Sequence, residues 1–244
     1  MKPLLSLIIP CLDEEDNICD VLLAVTTLLF DAGINYEVIV VDDQSTDATN
    51  SRAEQWTNQN PARNVSIIYK DLHRRGYGAA VKYGLAFAKG DYAIFVSADL
   101  VDPINLIPGM YLELLNGFDV VQVSRYLEKS NSTTIPFTYK FFQFFYRIGV
   151  RLALGKYIAD STYAFKMFRR SKILAMGLVS NRFNISPEIM FKSILAGLNV
   201  LFISGSQGIR LSGESKFKFH KEGLGFGMCL LRAWMHRNGI IYWF

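Results

Sequence analysis

The sequence predicts an α/β domain with a central, mostly parallel sheet. Short apolar runs alternate with helix-length segments through the first half of the chain, an order that builds a helix-covered parallel sheet. The runs themselves are apolar almost throughout, as strands buried on both faces require.

In order, LLSLIIP precedes a helix from Glu14 to Ala32, and YEVIVVDD precedes one from Asp47 to Asn58. VSIIYK leads into Gly76 to Lys89, DYAIFVSAD into Pro103 to Asn116, and FDVVQVS closes the series at Ser124. The pattern then changes to an aromatic-rich helix over Phe137 to Leu154, a strand at Tyr163 to Phe168, a helix over Ser186 to Ala196 and a strand at Asn199 to Ser204. A polar segment, Arg210 to Lys218, and a second aromatic stretch, Phe226 to Phe244, follow. Half of the 244 residues are hydrophobic, enough for one sizeable core. We read one domain over 1–218 and an amphipathic, membrane-associating extension over 219–244.

The net charge of +4 is modest, and the basic residues gather after position 120. That suits phosphates or acidic lipid headgroups rather than nucleic acid. Three cysteines without CxxC spacing argue against a disulfide framework and for a reducing, cytoplasmic setting. No secretory signal is evident, and no stretch reaches the ~18 to 20 apolar residues that cross a bilayer. The segments 137–154 and 226–244 carry aromatics beside Lys140, Arg147, Arg151, Arg232 and Arg237. They read either as core-facing helices or as helices lying on a membrane, which would be its cytoplasmic face.

In parallel sheets, ligands bind beyond the carboxyl ends of the strands. The loops there are Pro10 to Glu15, Asp42 to Asp47, Asp71 to Gly78 and Ser97 to Pro103. Asp42 and Asp43 follow a buried strand, where a carboxylate can accept from ribose hydroxyls or a base N–H; Ser45 or Asp47 caps the next helix. Gly76 and Gly78, after Arg74 and Arg75, set a turn and cations at a helix N-terminus, a weak anion-site signal. Asp99 ends its strand, with Asp102 close behind, and such carboxylates can hold Mg2+ or Mn2+ against a diphosphate. Aspartate before proline is also ordinary turn chemistry.

Together LIIPCLDEEDNI, EVIVVDDQSTDAT, RRGYGAAVKYGLAFAKGDY, SADLVDP, DVVQVSRY, DSTYAFKMFRR, PEIMFKSILAGLNV and RLSGESKFKF resemble the family-2 glycosyltransferases. The branch resembled is that of dolichol-phosphate mannose synthase and bacterial polyprenyl-phosphate glycosyltransferases, over residues 4–218. The resemblance implies a Rossmann-like A-type glycosyltransferase fold, a nucleotide-diphosphate sugar as donor and a polyprenyl phosphate as acceptor. It places Pro10, Glu14, Asp42, Asp43 and Gly76 around the nucleotide, and Ser97 and Asp99 at metal and diphosphate. Arg210, Ser215 and Lys216 match a phosphate-clasping loop. Arg125, Lys140, Asp160 and Glu188 fall on the acceptor side.

Two departures sit at the chemistry. The family's Asp-x-Asp reads Ser97-Ala98-Asp99, and hydroxyl oxygen is a poor ligand for a hard cation, so Asp102 would have to compensate. Leu12 and Asp13 stand where Tyr and Asn are usual. The expected reaction is displacement at the anomeric carbon by a phosphate oxygen that is already ionised and needs no strong base. Two rivals stand beside it: the same fold with a soluble or protein acceptor, and a degenerate member that binds a nucleotide or a partner without catalysis. A nucleotidyltransferase lacks support, since no glycine-rich, lysine-bearing N-terminal loop is present. The aromatic end Tyr242-Trp243-Phe244 raises the expectation of a small membrane subunit as partner.

Overall fold

The computed structural model of the chain describes residues 3–71, 75–128, 130, 135, 137–210 and 219–244. One sheet contains β1 (Leu5–Cys11), β2 (Tyr36–Asp42), β3 (Val65–Tyr69), β4 (Tyr92–Phe95), β5 (Val120–Ser124), β6 (Lys166–Arg169) and β7 (Val200–Ser204). Its order is β3-β2-β1-β4-β6-β5-β7. Strands β1, β2, β3 and β4 pair in parallel, as do β5 and β7. Strand β6 runs antiparallel between β4 and β5. Its reversal sets the approach to β6, residues 160–165, at the same sheet edge as the carboxyl ends of its neighbours. Residues far apart in sequence are thereby brought to one site.

The pleat divides the core. Leu5, Leu7 and Ile9 of β1 join Val38 and Val40 in one buried cluster, while Ile8 joins Ile39 and Val41 in the other. On the first face lies α1 (Ile18–Asp31), burying Ile18, Val21, Leu22, Val25 and Leu29 at helical spacing. It begins later than the expected Glu14, because 14–17 form a turn in which the Asn17 and Ile18 amides bond back to the Glu14 carbonyl. Helices α2 (Thr49–Gln59) and α4 (Ile107–Leu115) pack beside the sheet near it.

The second face is covered by α3 (Tyr77–Phe87), α5 (Phe137–Leu154), α7 (Ile185–Leu195) and α8 (Phe219–Arg237), with the short α6 (Arg170–Ala175) after β6. Helix α6 has too few residues to show a period in the sequence. Helix α8 starts before the expected Phe226, and Cys229 and Ala233 are buried with Val150, Leu154 and Ile189. Residues 219–244 are therefore integrated in the second core rather than appended to it. No helix among the described residues is long and apolar enough to cross a membrane.

Candidate functional site

A cleft of about 1010 Å³ opens over the carboxyl ends of β1, β2, β4 and β5. Pro10, Glu14, Asp43, Gly76, Ser97, Asp99, Asp102, Arg125 and Arg210 all line it. The loops around it hold three non-glycine residues at positive φ, Asp13 (53°), Gln44 (67°) and Leu100 (56°), one after each of β1, β2 and β4. Such conformations persist only where the surroundings fix them, and they gather at functional sites.

The first two loops are stitched together. The Asp13 amide donates to Ser45 Oγ at 3.0 Å, and Asp13 Oδ1 accepts from the Thr46 amide at 2.8 Å. Asp42 is buried and not part of the cleft lining; one oxygen accepts from the Ser45 amide, while Oδ2 has no partner. Asp43 lines the cleft but is fully engaged, by Lys70 Nζ at 2.5 Å and the Gly76 amide at 2.6 Å. The turn before α3 is likewise not an open anion cradle. The Ala79 amide donates to the Asn181 carbonyl at 3.0 Å, and a Cβ on Gly78 would meet the Arg182 carbonyl oxygen at 2.6 Å. These glycines serve close packing, and the cation that faces the cleft here is Arg75, which donates to the neutral oxygens of Gln44.

Beyond β4 the acidic residues divide into two units. Asp102 is buried and accepts from the Ser97 amide at 2.7 Å, Ser97 Oγ at 2.5 Å and the Tyr163 hydroxyl at 2.8 Å. Burial pushes its carboxyl up, against the pull of the Ser97 bonds. Asp99 pairs instead with Arg210, whose Nη2 and Nε lie 2.6 and 2.9 Å from Asp99 Oδ2. The same Nη2 is 3.1 Å from Glu14 Oε1, and Glu14 Oε2 accepts from Asn17 at 2.7 Å. Burial lifts the Glu14 carboxyl, with Asn17 and Arg210 opposing. Arg210 arrives from the segment after β7, which the Gly208 amide ties to the Val101 carbonyl at 2.7 Å. Ser215 and Lys216, like Arg74, lie outside the described residues.

Arg125 follows β5 and lines the same cleft. Its guanidinium meets the fully buried Asp160 at 2.8 and 3.2 Å, Gln207 at 3.1 Å and Thr162 at 3.2 Å, and it lies 4.5 Å from the Tyr163 ring centroid. Burial alone would raise the Asp160 carboxyl, but Arg125 outweighs it and the net shift is downward. For Arg125 the signs reverse: burial disfavours its charge, and Asp160 more than restores it. The cleft wall there is aromatic, with Tyr126, Tyr139, Phe142, Tyr146 and Phe226.

Two expected acceptor-side residues do not reach the cleft. Glu188 is fully buried, ion-paired to Lys192 at 2.9 Å and accepting from the Val179 and Ser180 amides. Its carboxylate is satisfied within the protein because α7 packs inward around most of its circumference. Lys140, on α5, is also absent from the lining. Conversely Tyr163, Gln207, Thr162 and the Arg182–Glu222 pair at 2.6 Å belong to the site without having been singled out. Their partners are 40 or more residues away in most of these contacts, so no local pattern marks them.

The apolar stripe of α5 faces outward. Phe137, Phe141, Phe144, Phe145, Ile148 and Leu152 are exposed, as are Leu224, Met228, Leu231 and Trp234 on α8. Of the terminal aromatics, Trp243 lies 5.0 Å from Lys192 Nζ and Phe244 stacks on His236 at 4.6 Å, while Tyr242 and Phe244 are exposed. Nothing among these contacts supports a separate membrane subunit.

A divalent ion fits this donor set poorly. Beside a diphosphate such an ion is held by one or two carboxylates together with phosphate oxygens and water, and here Ser97 replaces one carboxylate, Asp102 is spent on Ser97 and Tyr163, and Asp99 carries a guanidinium. Among the described residues no three His, Cys, Asp or Glu side chains are grouped to hold a metal.

The sequence profile "Glycosyl transferase family 2" matches residues 6–176. The chain is 30% identical to the dolichol-phosphate mannosyltransferase of Pyrococcus furiosus, over 87% of this chain and 59% of that protein. It is 28% identical to the undecaprenyl-phosphate 4-deoxy-4-formamido-L-arabinose transferase of Aeromonas hydrophila, over 88% of this chain and 63% of that one. It thus spans roughly three-fifths of the length of these relatives. The fold superposes on the glucosyl-3-phosphoglycerate synthase of Mycobacterium tuberculosis, solved with Mn2+, UDP and glucosyl-3-phosphoglycerate, with a TM-score of 0.66 at 20% identity, over 98% of this chain and 81% of that one. This confirms the A-type glycosyltransferase fold that the sequence resemblance implied. Because the profile covers most of the chain, including strands β2 to β6 and nearly all of β1, both acidic loops and Asp99, the protein belongs to glycosyl transferase family 2.

Proposed function

We propose that the protein moves a hexose from a nucleoside-diphosphate sugar to a polyprenyl phosphate at a membrane surface. The observation that carries this reading is the mixed lining of the cleft, where Glu14, Asp99 and Arg210 share the wall with Arg125 and with Tyr139, Phe142 and Tyr146 from α5. The exposed aromatic face of the same helix would rest in the lipid interface and present an isoprenoid phosphate to Arg125. The names of the relatives, two of them transferases to dolichol or undecaprenyl phosphate, support the acceptor class.

In this mechanism the donor nucleotide lies over Pro10, Glu14 and Asp43, with Asp42 behind them fixing the second loop through Ser45. Arg125, kept charged and oriented by Asp160, receives the acceptor phosphate, whose ionised oxygen attacks the anomeric carbon as the nucleoside diphosphate departs. Ser215 and Lys216 keep the phosphate-clasping role that the family pattern gives them. Membrane contact is placed at the cytoplasmic face.

The test is transfer of labelled hexose from UDP- and GDP-sugars, using the purified protein and vesicles with or without polyprenyl phosphate. Label appearing in the organic phase only with the lipid supports the proposal. Transfer to a soluble phosphate acceptor such as 3-phosphoglycerate, with none to lipid, would replace it with the soluble-acceptor reading. Nucleotide binding without transfer to either would point to the non-catalytic one.

A further inference from the structure

Among the described residues the divalent ion expected for a diphosphate donor finds only carboxylates that are already engaged, and a mostly buried cation stands among them. We propose that Arg210 is that cation, so that the donor diphosphate binds without a divalent metal. This deepens the donor side of the reading above and rests on it.

The argument begins with charge. A diphosphate leaving group needs positive charge opposite its oxygens, and a guanidinium supplies it through a fork of N–H donors matched to phosphate. Arg210 is mostly buried, with its side chain 20% exposed, and its Nη2 bridges Asp99 at 2.6 Å and Glu14 at 3.1 Å. Those two carboxylates come from the loops after β4 and β1, where the nucleotide would lie, and Arg210 lines the same cleft. The carboxylates hold the guanidinium in place, as they would otherwise have held an ion.

The neighbouring chemistry excludes the usual alternative by construction. Ser97 does not merely lack a carboxylate. Its hydroxyl and amide both close on Asp102 Oδ2, and Tyr163 closes on Oδ1, so both oxygens of the second carboxylate of the loop, although it lines the cleft, already have partners within the protein. Arg75, which bonds the Gln44 oxygens and lines the same cleft, adds a second guanidinium whose charge no carboxylate contact offsets among the described residues. The exchange needs no new atoms: on donor binding, N–H groups of Arg210 pass from carboxylate to phosphate oxygens while Asp99 keeps its orientation.

The experiment is calorimetric titration of the full chain with UDP and GDP, each in EDTA and in Mn2+, repeated on Arg210→Ala, Arg210→Lys and Ser97→Asp. The expected result is one nucleotide binding with affinity that changes less than about twofold between EDTA and Mn2+. Arg210→Ala should weaken binding by about tenfold or more, as loss of a charge-assisted contact implies, with Arg210→Lys intermediate. Ser97→Asp, which frees Asp102 from its hydroxyl partner, should make binding respond to Mn2+. Binding that requires Mn2+ in the unaltered protein would overturn the inference and leave the transferase reading standing. Absence of binding by either nucleotide in any condition would overturn both. Melting temperatures of the variants, compared with that of the parent, separate lost binding from lost fold.

Discussion

Asp160 is the residue whose removal should cost the fold most among those at the cleft. It is fully buried and accepts from Arg125 Nε and Nη2, from the Thr162 amide and hydroxyl and from the Tyr163 amide. Asp160→Ala leaves the Arg125 guanidinium, only 14% exposed, without its counter-charge. Breaking one side of a buried pair costs roughly 3–5 kcal/mol, a large part of the roughly 5–15 kcal/mol that holds a domain together. Asp160→Asn keeps an acceptor for the two amides and should lose less. The double variant Arg125→Met, Asp160→Ala removes the stranded charge and should recover much of the loss. Because Arg125 holds the folded-state carboxyl below its ordinary range, this stabilisation is complete above the unfolded value near about 4 and fades as pH falls through the folded one. Urea unfolding at pH 7 of the parent, Arg125→Met, Asp160→Ala and the double variant measures the coupling, expected at about 2 kcal/mol or more. Additive losses, or an Asp160→Ala variant within about 1 kcal/mol of the parent, would refute the claim that Asp160 holds Arg125.

Three further outcomes follow from the same contacts. Gly78→Ala should destabilise by about 1–3 kcal/mol, since the new methyl meets backbone of Asn181 and Arg182 under 3 Å away and backbone cannot yield cheaply; thermal unfolding checks it. Lys166 is fully buried, donating to Ser186, and burial pushes its ammonium down to about 7. Its penalty is complete below that pH and is relieved toward the unfolded value of 10.5, so any advantage of Lys166→Met should shrink by up to ~1.4 kcal/mol per pH unit above 7; denaturant titrations at pH 6.5 and 9 read this. Phe141→Glu with Phe145→Glu should reduce sedimentation with anionic vesicles at least about tenfold, given roughly 1.5–3 kcal/mol per buried phenyl group, and unchanged sedimentation would remove α5 from the lipid interface.

The sheet was legible because strands such as Leu5–Cys11 and Tyr36–Asp42 are buried on both faces over most of their length and are therefore apolar almost throughout. The positions of Asp43, Asp99 and Arg125 followed, since each stands just beyond the carboxyl end of a parallel strand. What those side chains do there was not legible. Asp102 reads as a metal ligand beside Asp99, yet Tyr163, 61 residues on, turns it into the anchor of Ser97. Glu188 reads as an acidic cleft residue, yet Lys192 one helical turn away neutralises it inside the core. The outward face of α5 could not be read either, because a period of 3.6 is the same whether the apolar stripe meets protein or lipid. The Tyr163–Asp102 contact is a long-range pairing and the α5 face a choice of solvent, and neither leaves a mark in local sequence; the Glu188–Lys192 spacing of four does, but not the burial that turns it inward.

We propose that donor and acceptor meet in one cleft, with Arg125 receiving the acceptor phosphate. The direct measurement is the kinetics of Arg125→Lys, which keeps charge beside Asp160 but loses the forked geometry, combined with calorimetry of nucleotide binding. The account predicts nucleotide affinity within about twofold of the parent and an acceptor-lipid KM raised about tenfold or more. Equal weakening of nucleotide and lipid, or no change in the lipid KM, would contradict it.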